Sequence, residues 1–289
     1  MAHFLGAHQS IAGGHDRAVH AANTAGCTSL QIFTKNNNQW AAPPLLEEKV
    51  VAFRQLMSKS KISRPVAHNS YLINMASADD GLWRKSIEAM VVELQRGEAL
   101  GLVDLVAHPG AHVGSGEEAG LKRIVEALDE IHRATRGFGI RIALETTAGQ
   151  GSCLGHRFEH LAQIFDGVDD PERLGVCIDT CHVFAAGYRF GTQLEYDETF
   201  GEFDRVVGLD RVRVLHLNDS IREFGSRVDR HAGIGLGKIG LEPFGFVLND
   251  RRLAGLPMVL ETPKGAVDGE DLDLINLRRL RSLIRDDGA

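Results

Sequence analysis

The chain has 289 residues, enough to bury one large core as a single α/β barrel or to divide into two ordinary domains. Its hydrophobic fraction of 43% and charged fraction of 25% are those of a soluble protein, and no apolar run approaches the ~20 residues needed to span a bilayer. With 32 Lys and Arg against 39 Asp and Glu, the formal charge of −7 excludes a surface built to coat nucleic acid, though not a local site where bound dications offset the charge.

The start, MAHFLGAHQS, lacks the basic and apolar regions of a signal peptide and reads as strand over residues 3–8. An amphipathic helix follows over 17–25, then a strand over 29–34 and a helix over 47–58. The pattern repeats with strand 65–68 and helix 82–100, strand 103–108 and helix 117–135, and strand 140–146 and helix 159–165. Strand 175–180 precedes helix 197–207, strand 212–217 precedes helix 241–248, and strand 257–262 precedes helix 271–284. Short apolar runs alternating with longer amphipathic ones signal parallel strands with crossover helices. Eight such units in one chain suit a TIM (β/α)8 barrel, a single domain over residues 1–289. An open doubly wound sheet is the alternative, but GAHQSIAGG fits neither GxGxxG nor a P-loop. Four cysteines (Cys27, Cys153, Cys177 and Cys181) are too few and scattered for a disulfide framework, which points to a cytoplasmic address.

The ends of these strands carry the chemistry. His68 ends the third and His108 the fourth, Glu145 lies at the end of the fifth, Asp179 and His182 at the sixth, His216 at the seventh and Glu261 at the eighth. In a barrel all these ends meet at one rim, where the active sites of this architecture sit. Asp229 and His231 lie in the following DRHAGIGLGKIG, a loop able to fold over the same rim. One histidine beside a strand is usually a hydrogen-bonded structural residue. Six successive strands each delivering a metal-type ligand to one end is a different matter. Five imidazoles and four carboxylates without thiolates favour zinc, with manganese next, and nine ligands exceed what one tetrahedral ion uses. Two or three ions are implied, and a carboxylate, Glu145 or Glu261, should bridge two of them. Alternation along strand 175–180 places Cys177, Asp179 and Cys181 on one face, where core packing is the expected use of the thiols.

At these residues the sequence resembles the endonuclease IV family of apurinic/apyrimidinic endonucleases. The resemblance runs through GAHQSIAGG, QIFTKNNNQW, AHNSYLINMAS, LVAHPGAH, ALETTAGQG, GVCIDTCHVFAAGY, VLHLNDS, DRHAGIGLGKIG and LETPKG, in the family's order. It implies a TIM barrel with three zinc ions per chain, manganese being an alternative at one site. It also implies cleavage 5′ to abasic sites in duplex DNA, leaving a 3′-hydroxyl and a 5′-deoxyribose phosphate, together with removal of blocked 3′ ends. Carried over by motif, one ion falls to His68, His108 and Glu145, a second to Glu145, Asp179, His216 and Glu261, and a third to His182, Asp229 and His231. The resemblance thus makes Glu145 the bridge, and it makes Glu145 and Glu261 the catalytic carboxylates that position or deprotonate the attacking water.

For DNA the resemblance implies wedge residues at Tyr71 and Leu72 and further contacts from Lys35, Asn36 and Asn38. Asn38 stands where the family usually carries arginine, Ile221 where it carries lysine and Arg189 where it carries aspartate. Arg222 and Arg227 lie close enough in sequence to Ile221 to replace the lost cation. The acidic balance leaves a monomer, with no membrane partner, as the expected state. A metal-dependent sugar isomerase or epimerase of related barrel fold is the main rival, and a third ligand set has no work in such an enzyme. A non-catalytic DNA-binding barrel is the other, and it has no need of nine ligands.

Overall fold

In the computed structural model, which describes residues 3–285, eight parallel strands close into a barrel. The remaining residues of the expected domain, 1–2 and 286–289, lie outside the described ones. The strands are β1 (Phe4–Gln9), β2 (Ser29–Phe33), β3 (Val66–His68), β4 (Asp104–Ala107), β5 (Arg141–Glu145), β6 (Leu174–Asp179), β7 (Val212–His216) and β8 (Pro257–Leu260). Each pairs with the next in sequence, and β8 closes onto β1 with Phe4 opposite Pro257. Around them run α1 (His15–Thr24), α2 (Glu47–Ser58), α3 (Asp80–Leu100), α4 (Glu117–Ala134), α5 (Phe158–Gly167), α6 (Thr180–Ala186), α7 (Gln193–Val206), α8 (Glu242–Asn249) and α9 (Leu272–Arg281). No described helix is long and apolar enough to cross a membrane.

Two apolar layers hold this arrangement. Val66, Val106, Ala143, Cys177, Val214 and Val259 come one from each of β3 to β8 and pack together, fully buried, as the filling of the barrel. A larger layer lies between strands and helices, where α4 buries Leu121, Ile124, Leu128 and Ile131. Strands so covered on both faces need continuous apolar runs, and this is why the short runs in the sequence located them.

Local capping chemistry sets the helix limits. Asp79 accepts from the Leu82 N–H at the start of α3, and Gly101 ends that helix in the left-handed region at φ 78°. A Thr192–Glu195 capping box starts α7 four residues before the expected helix 197–207. A further correction concerns β6, which ends at Asp179 rather than Thr180. Asp179 caps α6, accepting from the His182 N–H at 2.9 Å. Cys181 therefore sits in a helix and shares no strand face with Cys177, which packs inside the barrel.

His132 of α4 and His160 of α5 are both buried, and burial pushes each imidazole down to about 4. Neither ring nitrogen of His132 finds a hydrogen-bond partner. The unfolded chain takes up protons near 6.5 that the fold refuses until about 4, so this stability is present above 6.5 and lost as pH falls. The urea midpoint is expected to fall through that window, each histidine adding at most about 1.4 kcal/mol per pH unit. His132→Leu should flatten the dependence; an unchanged slope would refute the assignment.

Candidate metal centre

The barrel brings its polar strand ends to one mouth. His68, Glu145, Asp179 and His216 are the last residues of β3, β5, β6 and β7, while His108 and Glu261 lie one residue beyond β4 and β8. The Asp179 cap turns α6 so that His182 faces the same point. Asp229 and His231 return from the loop after β7, where Asp219–Ser220 pairs antiparallel with His231–Ala232. The buried Asp219 carboxylate fastens that loop, accepting the N–H groups of Gly237 and Ile239, each at 2.9 Å. Gly237 permits the closure, because a Cβ there would sit 2.4 Å from Asp219 Oδ1.

All nine residues expected from sequence meet here. Glu145, wholly buried, is the hub: its Oε2 lies 3.1 Å from His68 Nε2 and 2.9 Å from His108 Nε2. Its Oε1 lies 3.0 Å from His216 Nδ1 and 3.3 Å from His182 Nδ1. His216 Nδ1 is also 3.3 Å from Glu261 Oε2 and 3.7 Å from Asp179 Oδ2. Asp229 reaches His182 Nε2 and His231 Nε2, both at 3.2 Å. Ligands held at ~2.0–2.1 Å around a tetrahedral ion stand about 3.3 Å apart, and these separations cluster at that value. The same three groupings, His68–His108–Glu145, Glu145–Asp179–His216–Glu261 and His182–Asp229–His231, each present ligand atoms within 4.8 Å of one another.

Hydrogen bonds at the far side of each ring decide which nitrogen faces inward. The Nδ1–H groups of His68, His182 and His231 donate to the carbonyls of Asn69 (2.8 Å), Thr146 (2.8 Å) and Glu261 (3.1 Å). Their Nε2 atoms are left with lone pairs aimed into the centre. Those of His182 and His231 are buried and without a hydrogen-bond partner. Two ring nitrogens 3.2 Å from one carboxylate call for positive charge between them, which protons on the rings or one shared dication would supply. The donor set therefore fits a borderline metal.

Charge follows the same geometry. Burial alone would raise the Glu145 pKa, but the charges of His108 and His216 and hydrogen bonds from His108 and His182 hold it well below the usual carboxylate range. Against the lowering effect of burial, Glu145 and Glu261 push His68 up to about 9, and Asp179 and Asp229 push His231 to about 9. Burial and the neighbouring carboxylates raise the Cys177 thiol well above its ordinary value, in keeping with its packing role.

The mouth opens into a cleft of about 400 Å³ bordered by His8, Phe33, Tyr71, Arg230, Thr262 and Lys264 as well as the clustered residues. Tyr71 stands 62% exposed at its edge, packed edge-on against Phe33, and Leu72 is half-buried beside it. Asn36 and Asn38 are exposed, joined by a 2.9 Å bond from the Asn38 N–H to Asn36 Oδ1. Lys35 corrects the sequence expectation of a DNA contact. Only 3% exposed, it donates to the Gln39 carbonyl at 2.6 Å and pairs with buried Glu93 at 3.5 Å, so its ammonium cannot reach a phosphate. Ile221 is exposed, as are Arg222 and Arg227, while the Arg189 guanidinium stacks on Phe224 at 4.0 Å.

Sequence reasoning missed the residues that hold the centre in shape. Asn218 donates to Asp179 Oδ2 at 2.7 Å and accepts the Glu261 N–H at 2.7 Å. Gln31 and His8 lie against Glu261. His8, near the end of β1, carried the signal that marked the other histidines.

Residues 19–283 match the family model described as a xylose isomerase-like TIM barrel. A Chloroflexus aurantiacus protein named probable endonuclease 4 is 50% identical over 281 residues, 97% of this chain and 98% of its own. One of the same name from Geobacter sulfurreducens is 48% identical, over 99% of this chain and 96% of its own. Among solved structures, endonuclease IV from Thermus thermophilus superposes with a TM-score of 0.85 at 38% identity, covering 96% of this chain and 98% of that one. A D-tagatose 3-epimerase-like protein reaches 0.73 at 17% identity over 96% of each chain, a likeness of fold alone.

Zinc added to chelator-stripped protein should raise its thermal midpoint, since an ion at a thousand times its Kd stabilises the fold by about 4 kcal/mol. A midpoint indifferent to zinc and manganese would count against a metal centre.

Proposed function

Because the chain belongs to the endonuclease IV family, we propose that it is a DNA-repair nuclease hydrolysing the phosphodiester 5′ to abasic sites in duplex DNA, with three zinc ions at the barrel mouth. Manganese is an alternative at one of them, and the products are a 3′-hydroxyl and a 5′-deoxyribose phosphate. Removal of blocking groups from 3′ ends uses the same centre. The observation that carries this reading is the set of inward-facing lone pairs, spaced in three groups for tetrahedral ions around the shared Glu145.

In this reading His68, His108 and Glu145 hold one ion, Glu145, Asp179, His216 and Glu261 the second, and His182, Asp229 and His231 the third. When bound, the dications supply Lewis-acid activation of water and neutralise charge developing on the phosphate. The protein's own part is orientation and proton handling. Glu145 and Glu261 bring carboxylate oxygens to 3.0 and 3.3 Å from His216 Nδ1, and in this reading the two carboxylates orient the attacking water. One of these two carboxylates would accept the proton that the water releases. In this reading Tyr71, exposed at the cleft edge, and neighbouring Leu72 are the wedge residues, the Tyr71 ring stacking on an exposed base. Asn36 and Asn38, exposed on the adjoining segment, would contact the DNA backbone.

Incision of a synthetic abasic duplex, with and without chelator, tests the assignment directly. Glu145→Gln and Glu261→Gln should fold normally and lose cleavage by a factor on the order of 10²–10⁴; near-normal turnover by either removes that residue from the chemistry. Tyr71→Ala should weaken binding of the abasic duplex by about 1–3 kcal/mol and leave metal content unchanged. Equal affinity would assign Tyr71 to packing alone.

A further inference from the structure

Gln31 lies on β2 with its side chain wholly buried, in register with His8 of β1. Its carboxamide oxygen is 2.8 Å from His216 Nε2. Its nitrogen is 2.6 Å from Glu261 Oε1 and 3.0 Å from His8 Nδ1. The partners themselves fix the amide's orientation. An ionised Glu261 has no proton to give, so the NH2 group must face it, and the oxygen must then accept from His216 Nε2–H. The remaining N–H meets the His8 Nδ1 lone pair.

Two consequences follow for the centre. With its proton on Nε2, His216 can present only Nδ1 inward, where Glu145, Glu261 and Asp179 lie at 3.0, 3.3 and 3.7 Å. This is the reverse of His68, His182 and His231, whose tautomers are set by main-chain carbonyls. His216 makes no such bond, and Gln31 takes the carbonyl's place. With Oε1 of Glu261 tied to the same amide, Oε2 is the oxygen turned toward His216 Nδ1. One side chain thus aims two of the four residues grouped around the second ion position.

We propose that Gln31 is a positioning residue for the second ion, selecting the His216 tautomer and the free oxygen of Glu261 with a single amide. The inference rests on the multi-metal reading above. Only an amide of this length does both tasks. Methionine keeps the length and offers neither donor nor acceptor. Glutamate keeps an acceptor for His216 but sets a second carboxylate against Glu261.

The test compares wild type, Gln31→Met and Gln31→Glu as full chains, stripped with chelator and reloaded with zinc. Metal per chain is measured after desalting, and affinity by competition with a chromophoric chelator. Both variants should lose one ion, or bind it about 10–100-fold more weakly, while the others titrate as in wild type. For abasic duplex kcat should fall with KM unchanged, because Gln31 is buried away from the cleft surface. In ¹⁵N-labelled protein the His216 ring should lose its single Nε2–H tautomer in Gln31→Met. Thermal midpoints of the stripped proteins check the fold, and if Gln31→Met does not refold, Gln31→Glu decides. Variants holding every ion at wild-type affinity, with the His216 tautomer intact, overturn the inference alone. A wild type that binds no metal overturns the reading beneath it as well.

Discussion

The structure depends on a carboxylate buried where no water can solvate it. Glu145 is wholly enclosed at the end of β5 and tolerates ionisation only because imidazoles of His68, His108, His182 and His216 surround it. An unpaired buried carboxylate would cost several kcal/mol, so the neighbouring strands must end in groups that carry or attract positive charge. Protons meet that need at His68, which Glu145 and Glu261 together push up to about 9. A metal ion would meet it as well and would expel that proton on entering, so the proposed loading would run more easily as pH rises.

The barrel makes such a concentration of charge affordable by separating it from the apolar filling. Below the mouth, small and branched side chains, one from each of β3 to β8, pack together as a buried apolar layer. Above it, the first polar layer is fixed from behind by Asn218, Gln31 and three main-chain carbonyls. Side chains so held would need little rearrangement to receive an ion, which is the structural content of preorganisation.

What could be read from the sequence divides along this line. Strand positions were legible because burial on both faces leaves an uninterrupted apolar run. Histidines and acids were legible because each strand's polar terminus is fixed to one rim. Residues that act sideways across strands were not. Gln31 sits inside an apolar run, and its pairing with His216 and Glu261 exists only after closure brings β2 against β1 and β8 across the mouth. The missed helix α6 is a single cap effect, since Asp179 can end a strand or start a helix and only the folded loop decides. Lys35 was misread for a related reason. A lysine in a polar loop looks solvated until the acid that captures it, Glu93, is seen to arrive from α3.

That buried pair also binds two loops that are far apart in sequence. Glu93 accepts from Lys35 and Thr34 behind β2 and from the Ser70 N–H behind β3, and the Ser70 hydroxyl reaches the Asn37 carbonyl at 2.6 Å. The segment bearing Asn36 and Asn38 and the one bearing Tyr71 and Leu72 are therefore a single mechanical part with one internal anchor. Grafting either segment alone onto another barrel would strand a charge in the interior. Anyone redesigning this rim must transplant both, together with the turn of α3 that supplies the acid.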